Sequence, residues 1–432
     1  MDRRSFLGAM SGAVILGGCT RLDEKGANPP ATTTSIPGQG LAKAREEIRR
    51  DLFEHYIPFV DRHIVDHEHG GFMCAVDPEG NHRHQGKYIW FEGRGTWIFS
   101  NLCNEFGVRE EWLAPARKSI EFVMAHKPEG DNLWPLRYTR DGQAQPERPG
   151  QLQRIYGDLF VAEGLAEYGL ATGDPRYYDM AREIIFKCVR IYDQPDYFPQ
   201  AGLNYMSEAP PLPGARVLGH WMVLVRLATG MLRQRPDDAA IAALADRCME
   251  AIVQYHHNPE FDLTNELISH DMSRAEDFRA FCYLGHAIET IWMAMDEAAR
   301  RGDDALFDLL AGRFRRHVEV AWDPVFDGIL RSMEDIDAHW YTLDKTLWVQ
   351  HETLVGAMLL YEKRRDPWAL RLWERLYPYT REHFLIQGHE LETWQSRADR
   401  RGRHGGSFGQ YEFYHPARHM IMNLKALERL TA

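Results

Sequence analysis

An all-α fold, an (α/α)6 barrel of six helix hairpins with small β-hairpin excursions at one rim, is what this sequence predicts, and three observations predict it. Apolar residues recur at helical period in twelve separate stretches. Their connections alternate between tight turns and excursions of about 25 residues. The pattern repeats about every 64 residues, so each hairpin must bury its apolar face against a neighbour, and six hairpins can close a ring.

The chain begins with a segment outside this pattern. Arg3 and Arg4 precede Ser5, Phe6 and Leu7, an apolar run extends to Leu16, and Gly17 and Gly18 lead into Cys19. The run is too short for a membrane helix, which needs about 20 residues. It reads as a lipoprotein signal of the twin-arginine type over residues 1–19, with Cys19 as the lipidated residue. Residues 20–40, with Pro29, Pro30, Thr32 to Thr34 and Pro37, read as a flexible tether, and residues 41–432 as the catalytic domain. The expected location is therefore the periplasmic side of a bacterial membrane, reached only through a lipid anchor at Cys19. A net charge of −12 with no basic block after the signal argues against a nucleic-acid partner. Cys74, Cys103, Cys188, Cys248 and Cys282 are widely spaced without a CxxC pair, and are expected to be buried free thiols. Monomer and homodimer are both left open.

Periodicity predicts helices at 42–65, 94–107, 110–126, 155–172, 175–192, 216–234, 237–257, 280–301, 303–320, 347–364, 367–386 and 415–431. The tight turns carry stop and cap residues: Gly107 to Arg109, Gly173 Asp174 Pro175, Arg235 Pro236 Asp237, Gly302 Asp303 Asp304, and Arg365 Asp366 Pro367. The excursions hold hairpin-like pieces, such as Phe72 to Val76 before Pro78 Glu79 Gly80, and Trp134 to Tyr138 before Asp141 Gly142.

Helices that follow an excursion start near Arg94, Tyr156, His220, His286, Gln350 and His415, and in a closed ring these starts converge on one rim. Six polar positions where a core-facing helix would carry Leu or Ile point to a shared pocket. His286 and Glu289 stand three apart, so both leave one helix face, where a carboxylate can fix an imidazole's tautomer. The excursions hold Trp90, Trp134, Trp340 and Trp394, and the helices Trp97, Trp221 and Trp348. Such rings can stack on the apolar faces of a mono- or short oligosaccharide, with about half expected to be packing residues.

Taken together, Asp66 with Gly70 Gly71 Phe72, Lys87 with Trp90, Gly93 Arg94 with Trp97, Gly285 His286 with Glu289 and Trp292, Trp348 to Gln350 with Glu352, and Tyr414 His415 with Arg418 resemble the N-acylglucosamine 2-epimerase family. That family also contains cellobiose 2-epimerases and mannose isomerases, and the likeness extends over nearly all of residues 42–431. It implies the same barrel, and it implies that His286 and His415 are the two proton-transfer residues. It further implies that Arg94, His220 and Glu289 surround the substrate oxygens, with Trp348, Glu352 and Arg418 in the same site. Tyr156 joins them from its place on the rim, and Trp394 as an aromatic platform. Leu284 stands where the family commonly has proline. Gln410, Tyr411 and Glu412 replace a lysine and small residues, and Val223 stands where an acid is expected.

Two histidines suit inversion next to a carbonyl. The proton at C2 must leave from one face and return to the other through an enediolate, and imidazole serves as base in one form and acid in the other. One histidine shuttling the proton between C1 and C2 would give an aldose-ketose isomerase instead. A glycoside hydrolase on the same barrel would need two free carboxylates, with Glu289 and Glu352 as candidates. A non-catalytic glycan-binding lipoprotein is the third alternative. No cofactor or metal is expected: HExxH, GxGxxG and GxSxG motifs are absent, and Asp66, His67, Glu68 and His69 lie in a predicted loop, with His82 and His84 nearby.

Overall fold

Aspartates cap four of the helices that follow tight turns. Asp174, Asp238, Asp303 and Asp366 each accept a backbone N–H two or three residues on, at 2.8 to 3.1 Å. Each such cap contributes about 1 kcal/mol and sets where the helix begins. Pro175 and Pro367 occupy first-turn positions, where no N–H is needed. The computed structural model describes residues 39–146, 155–197, 212–386, 391–392, 395–397, 403–404 and 413–431. The signal with Cys19, the tether to residue 38, and Trp394 lie outside the described residues.

Twelve helices form among these residues. Helix α1 runs Gln39–Arg50, passes through a π-helical stretch Asp51–Tyr56 and ends as Ile57–His63. There follow α2 (Ile89–Phe106), α3 (Glu110–Ala125), α4 (Ile155–Thr172), α5 (Pro175–Tyr192) and α6 (Leu218–Gln234). The remainder are α7 (Ala239–Glu250), α8 (Leu284–Arg301), α9 (Asp304–Ala321), α10 (Leu347–Arg364), α11 (Pro367–Phe384) and α12 (Tyr414–Leu430). Even-numbered helices pack side by side in the order α2, α4, α6, α8, α10, α12, and α12 returns to α2. The odd-numbered helices form an outer layer, in which α1 packs on α12 and brings the two ends of the fold together.

Helix α2 begins five residues earlier than the expected 94, and the reason is glycine. A Cβ on Gly93 would lie 2.2 Å from the backbone of Phe160, so this glycine permits close contact of α2 with α4 and does not mark a helix start. Helix α7 ends at Glu250 and continues as a π-helical turn, Ala251–Tyr255, to about the predicted end.

Short strands on the rim pair between neighbouring excursions. Lys87–Tyr88 pairs with Arg137–Tyr138, Arg216–Val217 with Leu267–Ile268, and Asp344–Thr346 with Gln395–Arg397. These strands therefore belt the mouth of the barrel. The fourth residue of three inner helices fastens the preceding loop: Glu92 accepts the N–H of Phe72 (3.0 Å), Asp158 that of Trp134 (3.1 Å) and Gln350 that of Ile329 (2.8 Å). Gln350 is thus a clamp, not a pocket residue. Asp66 likewise holds a loop, accepting the N–H groups of Glu68 and His69 while paired with Lys87 at 3.1 Å and Arg140 at 2.9 Å. Asp323 repeats the device with Val325, Phe326 and Lys345.

Candidate active site

The first two turns of α8, α10 and α12 carry the centre of the site. His286, the third residue of α8, is 8% exposed, and its Nδ1 lies 2.9 Å from Oε1 of Glu266. Glu266 is fully buried between the strands Leu263–Thr264 and Leu267–Ile268. His415, the second residue of α12, is 7% exposed. The ring of Trp348 contacts both imidazoles, 5.7 Å from each centroid to centroid. Gly285 makes room for it, since a Cβ there would meet the Trp348 ring at 2.6 Å.

One turn deeper lies a charged layer. Glu289 follows His286 on α8, Glu352 follows Trp348 on α10, and Arg418 follows His415 on α12. Nη2 of Arg418 is 2.5 Å from a carboxylate oxygen of each glutamate. Burial alone would raise the Glu289 carboxyl, but Arg418, His415 and His286 beside it hold it below the usual carboxylate range. Burial also opposes the charge of Arg418, yet Glu352, Tyr414 and Glu289 keep it protonated well beyond its ordinary range. Ligand atoms of Glu289, Glu352 and His415 come within 4.8 Å of one another, close enough to hold a cation. The guanidinium already supplies positive charge there, so the set does not fit a metal as it stands. Held ionised by Arg418, Glu289 does not offer the protonated acid that a hydrolase would require.

Below this layer Trp292 donates from Nε1 to Glu352 (2.8 Å), and Glu163 pairs with Arg226 at 3.1 Å. Tyr414 joins them through its hydroxyl, 3.1 Å from Glu163 and 3.4 Å from Arg418. The barrel then opens at its far end into a cavity of about 600 Å³, where Arg233 pairs with Asp296 and Arg429 with Glu362.

The other expected residues divide. Tyr156 is half-buried, with its hydroxyl over Gly219, where a Cβ would lie 2.1 Å from it and about 3 Å from the His286 ring. His220 is fully buried, its ring 4.7 Å from Tyr156, 5.1 Å from Tyr192 and 5.8 Å from Tyr197. Arg94 lies with its guanidinium over the rings of Phe160 (4.2 Å) and Tyr414 (4.9 Å). Val223, on α6, is buried core. Trp97, Trp134 and Trp221 are packing residues, Trp90 is half-buried at the rim, and Trp340 is exposed. Sequence reasoning missed Glu266, Glu163 and Arg226. The last two were findable as charges on the apolar faces of their helices, two turns below the rim.

The pattern of the family described as N-acylglucosamine 2-epimerase (GlcNAc 2-epimerase) matches residues 70–418. The N-acylglucosamine 2-epimerase of Bos taurus is 26% identical over 379 residues, covering 83% of this chain and 84% of the bovine one. The cellobiose 2-epimerase of Spirochaeta thermophila superposes with a TM-score of 0.76 at 16% identity, over 91% of this chain and 98% of that one. A D-mannose isomerase superposes at 0.72 with 14% identity, over 92% of this chain and 100% of that one. The two structures share the fold.

Proposed function

The chain belongs to the N-acylglucosamine 2-epimerase family, whose named relatives are carbohydrate isomerases, and on that premise we propose that it inverts C2 of a free reducing sugar. The substrate is a mono- or short oligosaccharide in its open-chain form. The observation that carries this reading is the pair of nearly buried imidazoles, His286 and His415, each 5.7 Å from the ring of Trp348. One imidazole takes the C2 proton, made acidic by the C1 carbonyl. The electrons pass to the carbonyl oxygen, giving an enediolate, and the other histidine, as imidazolium, returns a proton to the opposite face of C2. The two histidines end with their roles exchanged, so either epimer can be the substrate. Arg94 stabilises the enediolate oxygen in this scheme, the kind of preorganised charge that supplies much of the rate. Trp348 offers its ring to the sugar, with Tyr156 at the rim. Glu289, Glu352 and Arg418 form the polar floor.

Incubation with a panel of reducing sugars in deuterium oxide, followed by proton NMR, tests the reading. Deuterium at C2 together with an inverted product is expected. A ketose product would mean that one histidine carries the proton between C2 and C1, and the alternative isomerase reading would replace epimerisation. Export and lipidation at Cys19 are part of the proposal, supported by the Leu16 Gly17 Gly18 Cys19 pattern. Cys19→Ala should move the protein from the membrane fraction to the soluble one.

A further inference from the structure

We propose that Glu266 is the positioning residue for proton transfer by His286. Its carboxylate accepts the hydrogen on Nδ1, which leaves Nε2 as the atom that meets the sugar, and it balances the imidazolium formed when C2 loses its proton. The inference rests on the two-histidine reading above.

Geometry and burial argue for this role. The Oε1 to Nδ1 distance is 2.9 Å, and Glu266 has no exposed surface. A buried carboxylate needs a compensating group. Among the described residues the second oxygen, Oε2, makes no protein hydrogen bond, so the compensation runs through His286. Glu289 differs, since its carboxylate is 2.5 Å from Arg418 but 3.9 Å from His415. The two histidines therefore sit in different electrostatic settings.

The backbone at Glu266 is held on every side. Its carbonyl accepts the N–H of Leu218 at 2.8 Å, which ties it to the first residue of α6, and the next two residues pair with Arg216–Val217. Asn265 donates its backbone N–H to His256 (2.8 Å) and its side-chain amide to the carbonyls of Arg279 (2.8 Å) and Phe281 (3.1 Å). A carboxylate carried on so fixed a segment keeps the imidazole in one orientation, which is what proton transfer to a defined face requires. In the step itself the C2 proton goes to Nε2, the Nδ1 hydrogen stays in the bond to Glu266, and the carboxylate remains ionised. The Nε2 proton later returns to carbon or exchanges with solvent.

The test is Glu266→Gln in the full chain, read in two ways. Nitrogen NMR of histidine-labelled protein without sugar, with the His286 signal assigned by its loss in His286→Asn, reports which ring nitrogen carries hydrogen. Wild type should show Nδ1–H. The glutamine amide can donate to Nδ1 and should move the hydrogen to Nε2. With sugar, kcat should fall by about 10⁴-fold with KM within about threefold, the scale seen when a histidine is held in the wrong tautomer. Glu266→Asp should recover at least about tenfold of that loss, because it restores an ionised acceptor. A wild-type ring with its hydrogen on Nε2 rather than Nδ1, or a kcat of Glu266→Gln within about threefold of wild type, would overturn the proposal. If wild type exchanges no C2 proton, the functional reading fails, and the tautomer signal alone decides whether Glu266 sets the ring.

Discussion

Replacing Arg418 with methionine would leave Glu289 and Glu352 facing each other without the cation that lies 2.5 Å from each. Breaking a buried ion pair from one side costs about 3–5 kcal/mol, so urea unfolding of Arg418→Met should show a loss of that size. An unchanged midpoint would mean that the glutamates share their charge elsewhere. Gly219 is the other residue on which the site depends. A methyl group there would overlap the Tyr156 hydroxyl and crowd His286, so Gly219→Ala should reduce turnover by about 10²-fold, the usual effect of a 1 Å misplacement. Its melting temperature should move far less than its rate, and equal losses in both would count against a positioning effect. His286, Glu289 and His415 were legible because ionisable residues at the start of an apolar helix contradict the period around them, and Arg418 was legible only through the family resemblance. Glu266 was not legible. It contacts its partner across 20 residues, from an excursion with no period to contradict.

Helix boundaries were legible where side chains cap them, as at Asp174, Asp303 and Asp366, and least so at α2, where Gly93 serves a contact with Phe160 that no local pattern reveals. The loop clamps follow the same division: Glu92, Asp158 and Gln350 are equivalent positions in the ring, yet their partners are set by tertiary structure. Gln350 does neutrally what Glu92 does with a carboxyl. Burial raises Glu92 from 4.5 to about 7, against the lowering effects of the Phe72 N–H, Lys87 and Ser119. Because the folded state holds this proton more tightly than the unfolded chain, the contribution is complete below pH 4.5 and is lost as pH rises through 7. That difference is worth about 3 kcal/mol. Glu92→Gln should therefore flatten the stability profile between those pH values and exceed wild type above pH 8, as measured by denaturant titration across pH. A parallel profile for both proteins would show that Glu92 is ionised at no cost.

Closure of the ring was read from an approximate repeat; α12 returns to α2, and α1 packs on α12 to complete the outer layer. Leu41, Ile48, Leu52, Tyr56 and Val60 of the first helix are buried. At about 1.5–3 kcal/mol for each large apolar side chain, their sum approaches the whole stability of a typical domain. Deleting residues 39–63 should abolish a cooperative thermal transition, and a retained sharp transition would show that five hairpins suffice. The barrel matters for the proposed function because it brings His286 and His415, from helices far apart in sequence, within 5.7 Å of one tryptophan ring. The most direct measurement is C2 deuterium wash-in, epimer by epimer, for His286→Asn and His415→Asn. The account predicts that each variant loses inversion, that one still exchanges the C2 proton of the first epimer only, and that the other exchanges that of the second only. Inversion retained in either variant, at a rate near that of wild type, would contradict it.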